Sequence, residues 1–325
     1  MTTKPRIVVF GGAGYIGSSL VRHLINHGFA VRVLDNFRYG DDGLKGLDSP
    51  DLEILDGDLC DVREVSHAVR DAEAVVLLAA VVGHRFQEVK HSGIRDVNFL
   101  ASTVALDAAI EHGVERFIFA STDSVYGNVS GVVFETTTPE PVSLYARLKL
   151  RMEERVIRAK RTGIHSTVLR IAQCHGFSPR MRFDAVANQL MRDAVCKKSI
   201  FIGSAEQCRA MIHVDDVAQA ILACLRAHVN LISGETFNLG DNDQNLAVSD
   251  VVQVVNSLVP GTAVEIGEED ADLLNYHLSS TKIEKILDWT PKYSLEASLV
   301  GLKEKIENGY FANPYSIQYQ NTDWL

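Results

Sequence analysis

Arg6-Ile7-Val8-Val9-Phe10-Gly11-Gly12-Ala13-Gly14-Tyr15-Ile16-Gly17 is the stretch whose reading decides the fold. Five residues of a β-branched, apolar run stop at a glycine. The glycines then recur as G-x-x-G-x-x-G, and a helical pattern, Tyr15–His27, follows at once. Glycines let the backbone approach a diphosphate, and a helix N-terminus offers free N–H groups to the anion. Three glycines alone are weak evidence. Their place between a strand and a helix is the context the reading requires.

Outward from this loop, short apolar runs alternate with helical patterns. The runs are Arg6–Phe10, Ala30–Leu34, Leu52–Leu55, Ala74–Ala79, Arg116–Ala120 and Ser166–Arg170. Runs apolar throughout are buried on both faces, as parallel strands are. Tyr15–His27, Ile94–His112 and Tyr145–Arg161 carry helical periodicity between them. This alternation predicts an α/β fold with a Rossmann-type doubly wound parallel sheet. After Arg170 the pattern loosens into helices Phe183–Lys198, Asp216–Ala227, Val248–Leu258 and Leu295–Glu307. Residues 1–170 read as the dinucleotide-binding domain. Residues 171–325 read as a smaller α/β lobe, part of which can return to the sheet. The aromatic tail (Tyr310, Phe311, Tyr315, Tyr319, Trp324) reads as a chain end packed on the body.

Composition sets the outer limits. The 325 residues are 46% hydrophobic and 23% charged, as soluble globular chains are. Thirty-two Lys and Arg against 42 Asp and Glu leave a net charge of −10, which argues against nucleic acid as the main partner. The longest nearly uncharged apolar stretch, Ala74 to Gly83, is half of the roughly 20 residues a membrane span needs. The first strand begins almost at the N-terminus and leaves no room for a signal peptide. Five cysteines (Cys60, Cys174, Cys196, Cys208, Cys224) without CxxC spacing read as reduced thiols in a cytoplasmic protein.

Asp35 ends the second strand. A carboxylate there accepts hydrogen bonds from adenosine ribose hydroxyls. It would also repel a 2′-phosphate: at about 4 Å and an effective dielectric near 20, a like-charge pair costs about 4 kcal/mol. Asp35 therefore favours NAD over NADP. Asp58-Leu59, after the third strand, are placed to reach the adenine, and Leu78-Ala79-Ala80, after the fourth, to line the pocket.

Tyr145 and Lys149 lie four apart, hence on one helix face. A tyrosine titrates near 10 and is a poor base at pH 7; lowering it three units takes about 4 kcal/mol. A nearby ammonium and an oxidised nicotinamide are the charges able to supply that. A strand ending in Ser121-Thr122 precedes this helix, so Thr122 can hydrogen-bond the same substrate oxygen.

With these residues in view, the chain resembles the extended short-chain dehydrogenase/reductases, the NAD-dependent nucleotide-sugar epimerases and dehydratases. The resemblance runs over nearly the whole chain. It includes Gly11, Gly14, Tyr15, Ile16 and Gly17, Leu34-Asp35-Asn36, Asp58-Leu59, Leu78-Ala79-Ala80 and Asn98. It continues through Ser121-Thr122-Asp123-Ser124-Val125-Tyr126-Gly127, Tyr145 and Lys149, Leu169-Arg170, Arg209, Ile212-His213-Val214-Asp215-Asp216-Val217 and Trp289-Thr290-Pro291-Lys292-Tyr293-Ser294-Leu295. It implies an NAD site on the first of these groups and hydride transfer at Thr122, Tyr145 and Lys149. It implies that Arg209 grips a sugar-nucleotide diphosphate and that Asp123 and Gln173 face the substrate. His213, Asp215 and Asp216 match a structural turn, not a metal site, and Cys174-His175 follow a strand without a catalytic assignment. Helices Ile94–His112 and Tyr145–Arg161 would pair across a two-fold axis into a homodimer.

The departures bear on the reaction. Dehydratases of this kind carry Thr-Asp-Glu where this chain has Thr122-Asp123-Ser124, so the base that takes the C5 proton is missing. Gln173 replaces a usual asparagine. No arginine stands around Glu268-Glu269-Asp270, where many members hold one, and Arg180 or Arg182 is the expected replacement. The leading expectation is a redox-neutral C4 epimerase working through a transient 4-keto sugar. A 4,6-dehydratase, a C4 dehydrogenase or reductase, and a non-catalytic NAD sensor are the alternatives.

Overall fold

The computed structural model describes residues 4–82, 91–267 and 275–321. Within them, seven strands form one parallel sheet: β1 (Arg6–Phe10), β2 (Ala30–Asp35), β3 (Leu52–Asp56), β4 (Ala74–Leu77), β5 (Arg116–Thr122), β7 (His165–Ile171) and β11 (Glu235–Leu239). Their order across the sheet is β11-β7-β5-β4-β1-β2-β3. The chain leaves β1 toward β2 and β3, then returns past β1 to β4. That reversal opens a crevice at the carboxyl ends of β1 and β4, where open α/β sheets take their ligands. The glycine loop follows β1 and Leu78-Ala79-Ala80 follow β4, so both line it.

Side chains on each strand alternate between the two faces. Ile7, Val9, Ile118 and Leu169 bury with α1 (Tyr15–Asn26) and α7 (Val214–Arg226). Val8, Phe10, Phe117 and Phe119 bury on the other face. There they meet α2 (Val62–Ala68), α4 (Ser102–Glu111) and α5 (Leu144–Ala159). Both layers are mostly apolar, which explains why the strands read as hydrophobic runs.

The second half does two things. β11 and α7 return to the sheet, β11 pairing with β7 from Glu235 opposite Thr167 to Leu239 opposite Ile171. The rest builds a second core. Met181, Phe183 and Met211 pack there with α6 (Val186–Lys197), α9 (Val248–Leu258) and α11 (Leu295–Glu307). Phe311 and Tyr319 of the aromatic tail pack edge-on against Phe183. Trp324 lies outside the described residues. Short paired strands tie the lobe together: β8 (Gln173–His175) on β10 (Cys208–His213), and β14 (Asn275–Leu278) on β6 (Ser130–Val133). No helix of the described residues is long and apolar enough to cross a membrane.

One expected helix differs. Ile94–His112 reads as a single α-helix, but α3 (His91–Arg95) leads into a π-helical segment, Asp96–Ala101, before α4. The widened turn carries the buried Asn98. Its Oδ1 accepts the Val81 N–H at 2.7 Å and its Nδ2 donates to the Val81 carbonyl at 2.9 Å. One side chain of this turn thus satisfies both backbone groups of Val81, beyond β4.

A buried ion pair ties α5 to the sheet. Arg170 on β7 donates from Nε and Nη2 to the Glu153 carboxylate of α5, the shortest contact being 2.7 Å. Glu153 is 3% exposed and Arg170 6%. Ser121 Oγ of β5 donates to the same carboxylate, and Arg170 Nη1 donates to Tyr126 Oη at 2.9 Å. Removing one partner of such a pair strands the other charge, at a cost of about 3–5 kcal/mol. Glu153→Ala is expected to lose that much in urea unfolding. A Glu153→Leu, Arg170→Met double variant should lose less, since it strands no charge. A single-variant loss below about 1 kcal/mol would contradict the assignment.

Candidate active site

The glycine loop is built by contact. Gly11 has φ +83°, and a Cβ there would lie 2.7 Å from the Ala79 nitrogen. A Cβ on Gly17 would lie 2.2 Å from the Gly11 carbonyl oxygen, so only glycine lets α1 start this close to the strand. Gly14 is the N-cap of α1, with no capping side chain. Ser18 N–H to the Gly14 carbonyl is the first helical bond, which leaves the amides of Tyr15, Ile16 and Gly17 at an open N-terminus. This cradle fits a dinucleotide diphosphate.

Asp35 stands at the rim. Its Oδ2 accepts the Ala13 N–H at 2.9 Å and its Oδ1 the Phe37 N–H at 3.0 Å, coupling the glycine loop to the loop after β2. Burial raises its carboxyl above the usual range, against the pull of those two amides. Asn36 is exposed and accepts the Arg38 N–H. Asp58 is exposed and caps the Cys60 N–H, while Leu59 is buried beneath it. Leu78 and Ala79 both donate their N–H to the Phe10 carbonyl, which ends β4 and brings Ala79 against Gly11. The side chain of Tyr15 is not in the crevice. Its ring packs in the second core, and its hydroxyl donates to the Gly176 carbonyl at 2.6 Å. Asn98 is likewise engaged with Val81.

A second group gathers where β5 meets α5. Thr122 caps the short turn after β5, its Oγ1 accepting the Ser124 N–H at 3.1 Å and donating to Ser124 Oγ at 3.1 Å. The Arg182 charge and the Thr122 hydroxyl both act on the phenol of Tyr145. Both lower Tyr145, but burial outweighs them and holds it well above the ordinary tyrosine range. Lys149 is buried one turn on, donating to the Ala120 carbonyl at 2.8 Å. Burial lowers it to about 7. Asp123 is raised by burial to about 6, against the nearby Arg209 charge. Tyr276 Oη donates to the Asp123 carbonyl at 2.8 Å. Gln173 Oε1 is buried with no hydrogen-bond partner among the described residues.

The structure thus brings Thr122, Asp123, Tyr145, Lys149, Arg182 and Arg209 to one end of the crevice. Arg182 is held by a two-point pair with Asp184, at 2.9 Å and 3.1 Å. Arg180 lies near them, beside Asp35 and Tyr39 and within reach of the Arg182 charge. Tyr276 was not legible beforehand: a lone tyrosine in Asn275–Leu278 acquires its place only through the β14–β6 pairing. The stretch Glu268-Glu269-Asp270 lies outside the described residues.

The remaining candidates are structural. His175 is buried, bonded to Ser298 Oγ and Gln244 Oε1, and burial lowers it to about 3. His213 accepts the Asp215 N–H, and Asp216 accepts the Lys292 and Tyr293 amides. Cys174 sits near Tyr145 with its thiol pushed up to about 12 by burial.

Comparison with known proteins places this geometry. Residues 7–240 match the model of the NAD dependent epimerase/dehydratase family. The chain belongs to that family. It is 28% identical to a UDP-glucose 4-epimerase of Halalkalibacterium halodurans, over 98% of this chain and 99% of the relative. It is 26% identical to a UDP-N-acetyl-alpha-D-glucosaminuronate decarboxylase of Bacillus cytotoxicus, over 94% and 97%. The solved UDP-glucose 4-epimerase of Thermotoga maritima, in complex with UDP-glucose, superposes with a TM-score of 0.84 at 28% identity, covering 94% of this chain and all of that one. The chain is an enzyme of this family and its cofactor is NAD.

The buried lysine has a pH signature. Lys149 titrates near 10.4 unfolded and near 7 folded. Between those values the unfolded chain binds the extra proton, so stability rises with pH through this window. Ligand-free protein should gain urea stability between pH 7 and pH 9, and Lys149→Met should flatten that gain. An unchanged slope in the variant would contradict the assignment.

Proposed function

We propose that this protein is a C4 epimerase of a nucleotide-linked sugar, acting through a transient 4-keto sugar. The observation that carries the reading is a phenol, Tyr145, beside Thr122, with Asp123 and no glutamate next to it among the described residues. Ser124 occupies the place where a dehydratase needs a glutamate, and its hydroxyl is already bonded to Thr122. NAD held by the glycine loop and Asp35 would supply reversible hydride chemistry at C4.

The chain's own part follows from the geometry. Thr122 Oγ1 orients the sugar 4-hydroxyl toward Tyr145. Tyr145 Oη takes the hydroxyl proton as the C4–H bond breaks, and gives it back when the ketone is reduced on its other face. Without ligand, burial keeps Tyr145 protonated. To act as the base it must first release that proton, which the Arg182 charge and an oxidised nicotinamide in the loaded site would favour. Gln173 offers its unpaired Oε1 to a sugar hydroxyl, and Arg209 a charge to the substrate diphosphate. The named relatives that act on UDP-sugars support a uridine nucleotide.

A dehydratase is the second reading. Asp123, raised to about 6, is a carboxyl able to donate a proton near neutrality, as water elimination requires. It lacks the base for the C5 proton. We further propose a cytoplasmic homodimer built on α4 and α5, whose light-scattering mass would be twice 35.8 kDa. A monomer at micromolar concentration would set the dimer aside.

The reaction is tested on a panel of UDP-, GDP-, CDP- and dTDP-sugars by chromatography with mass spectrometry. The expected product has unchanged mass and a new retention time; loss of water would favour the dehydratase. Tyr145→Phe keeps the ring but removes the ionisable oxygen. Turnover should fall by roughly 10²–10⁴ while NAD binding survives. Near-normal turnover in that variant would overturn the role of Tyr145.

A further inference from the structure

We propose that Arg180, carried by the second lobe, is a cofactor-binding residue whose guanidinium pairs with the diphosphate of bound NAD. The sequence suggests that this arginine, or Arg182, replaces a lost contact to the sugar nucleotide. The two differ in what else they act on. Arg182 bears on Tyr145 and Arg180 on Asp35, with the two guanidinium charges near enough to repel each other.

Arg180 is anchored on the first turn of α1. Its backbone N–H points to Ser18 Oγ at 3.4 Å, and the preceding Ser178 hydroxyl bonds both Ser18 Oγ and the Tyr15 carbonyl at 2.7 Å. The same turn presents the uncapped amides of Tyr15, Ile16 and Gly17. The Arg180 guanidinium carbon lies 4.3 Å from the centre of the Tyr39 ring, and Nη2 donates to Asn321 Oδ1 at 2.6 Å. A Cβ on Gly43 would meet the Ala13 carbonyl oxygen at 2.4 Å and Arg180 Cβ at 3.1 Å, so the arginine lies across the loop that backs the glycine cradle.

Arg180 is 2% exposed, yet its Nε has no hydrogen-bond partner among the described residues. An arginine kept for structure alone would have its buried donors paired, because a stranded charged donor is costly. Burial and the Arg182 charge lower it to about 10, opposed by Tyr39, Asp184 and Asp35. In a dinucleotide site the strand-end carboxylate takes the ribose and the helix N-terminus takes the diphosphate. A guanidinium tethered to that helix turn and facing that carboxylate lies along the diphosphate. Arginine is suited to the task by its planar, two-point donor geometry.

The test is calorimetric titration of the full-length protein, freed of bound nucleotide, with NAD, NADP, ADP and adenosine. Arg180→Met is expected to weaken NAD and ADP by roughly ten- to a hundredfold, the range for a lost charge-assisted hydrogen bond. Adenosine affinity should stay unchanged, and Arg180→Lys should recover part of the loss. Unchanged NAD affinity would overturn the proposal. An equal loss for adenosine would make Arg180 structural, and a loss confined to NADP would assign it to a 2′-phosphate; both overturn it. If Arg180→Met does not fold, Arg180→Lys decides alone: several-fold weaker NAD at constant adenosine affinity supports the proposal, and unchanged NAD affinity refutes it. Failure of the unmodified protein to bind NAD would instead strike at the cofactor itself.

Discussion

Glu153 fastens the helix that carries Tyr145 and Lys149 to the sheet. Its carboxylate is shared by Arg170 of β7 and Ser121 of β5, so three elements meet on one buried charge. Lys149 lies one helical turn before Glu153, and Thr122 directly follows Ser121. The separation of Tyr145 from Thr122 is therefore set by an ion pair beneath them, not by the surface loops. Buried pairs are a doubtful source of net stability, but they hold geometry because a slipped register strands charge. Arg170 extends the network through Tyr126 to Asn238 on β11, so the returning strand of the later half is tied to the same point.

A second constraint runs between the lobes. Tyr15 leaves the glycine loop to hydrogen-bond Gly176 and Asn188, and Ser18 pairs with Ser178. The helix turn that would hold the cofactor is thus welded to the strap carrying Arg180 and Arg182. One strap sets Arg180 beside Asp35 and Arg182 beside Tyr145. This coupling suits a cofactor that is reduced and reoxidised within one turnover and need not leave.

Much of this was legible in the chain itself. Arg6–Phe10 is a strand from end to end because both its faces are buried, and Val248–Leu258 and Leu295–Glu307 announce themselves by helical period. The G-x-x-G-x-x-G spacing is legible because steric contact, at Gly11 and Gly17, dictates it. What was not legible depends on partners distant in sequence. β11 is a five-residue strand whose place beside β7 is fixed only by the sheet. The π-helical turn sets Asn98 against Val81, a partner distant in the chain. Arg180 and Arg182 are two residues apart and chemically alike; only the fold sets one beside Asp35 and the other beside Tyr145. Tyr15 reads as a cofactor-loop residue, yet its side chain serves the second lobe.

The most direct test of the account uses a nucleotide sugar carrying deuterium at C4. If a hydride leaves C4, stays on the bound cofactor and returns to the other face, the epimeric product keeps its deuterium at C4. Recovery of the label at C6 would mean internal transfer after water elimination. Its appearance in free reduced cofactor or in solvent would mean that the hydride does not return. Either outcome would contradict a closed C4 epimerisation at Tyr145.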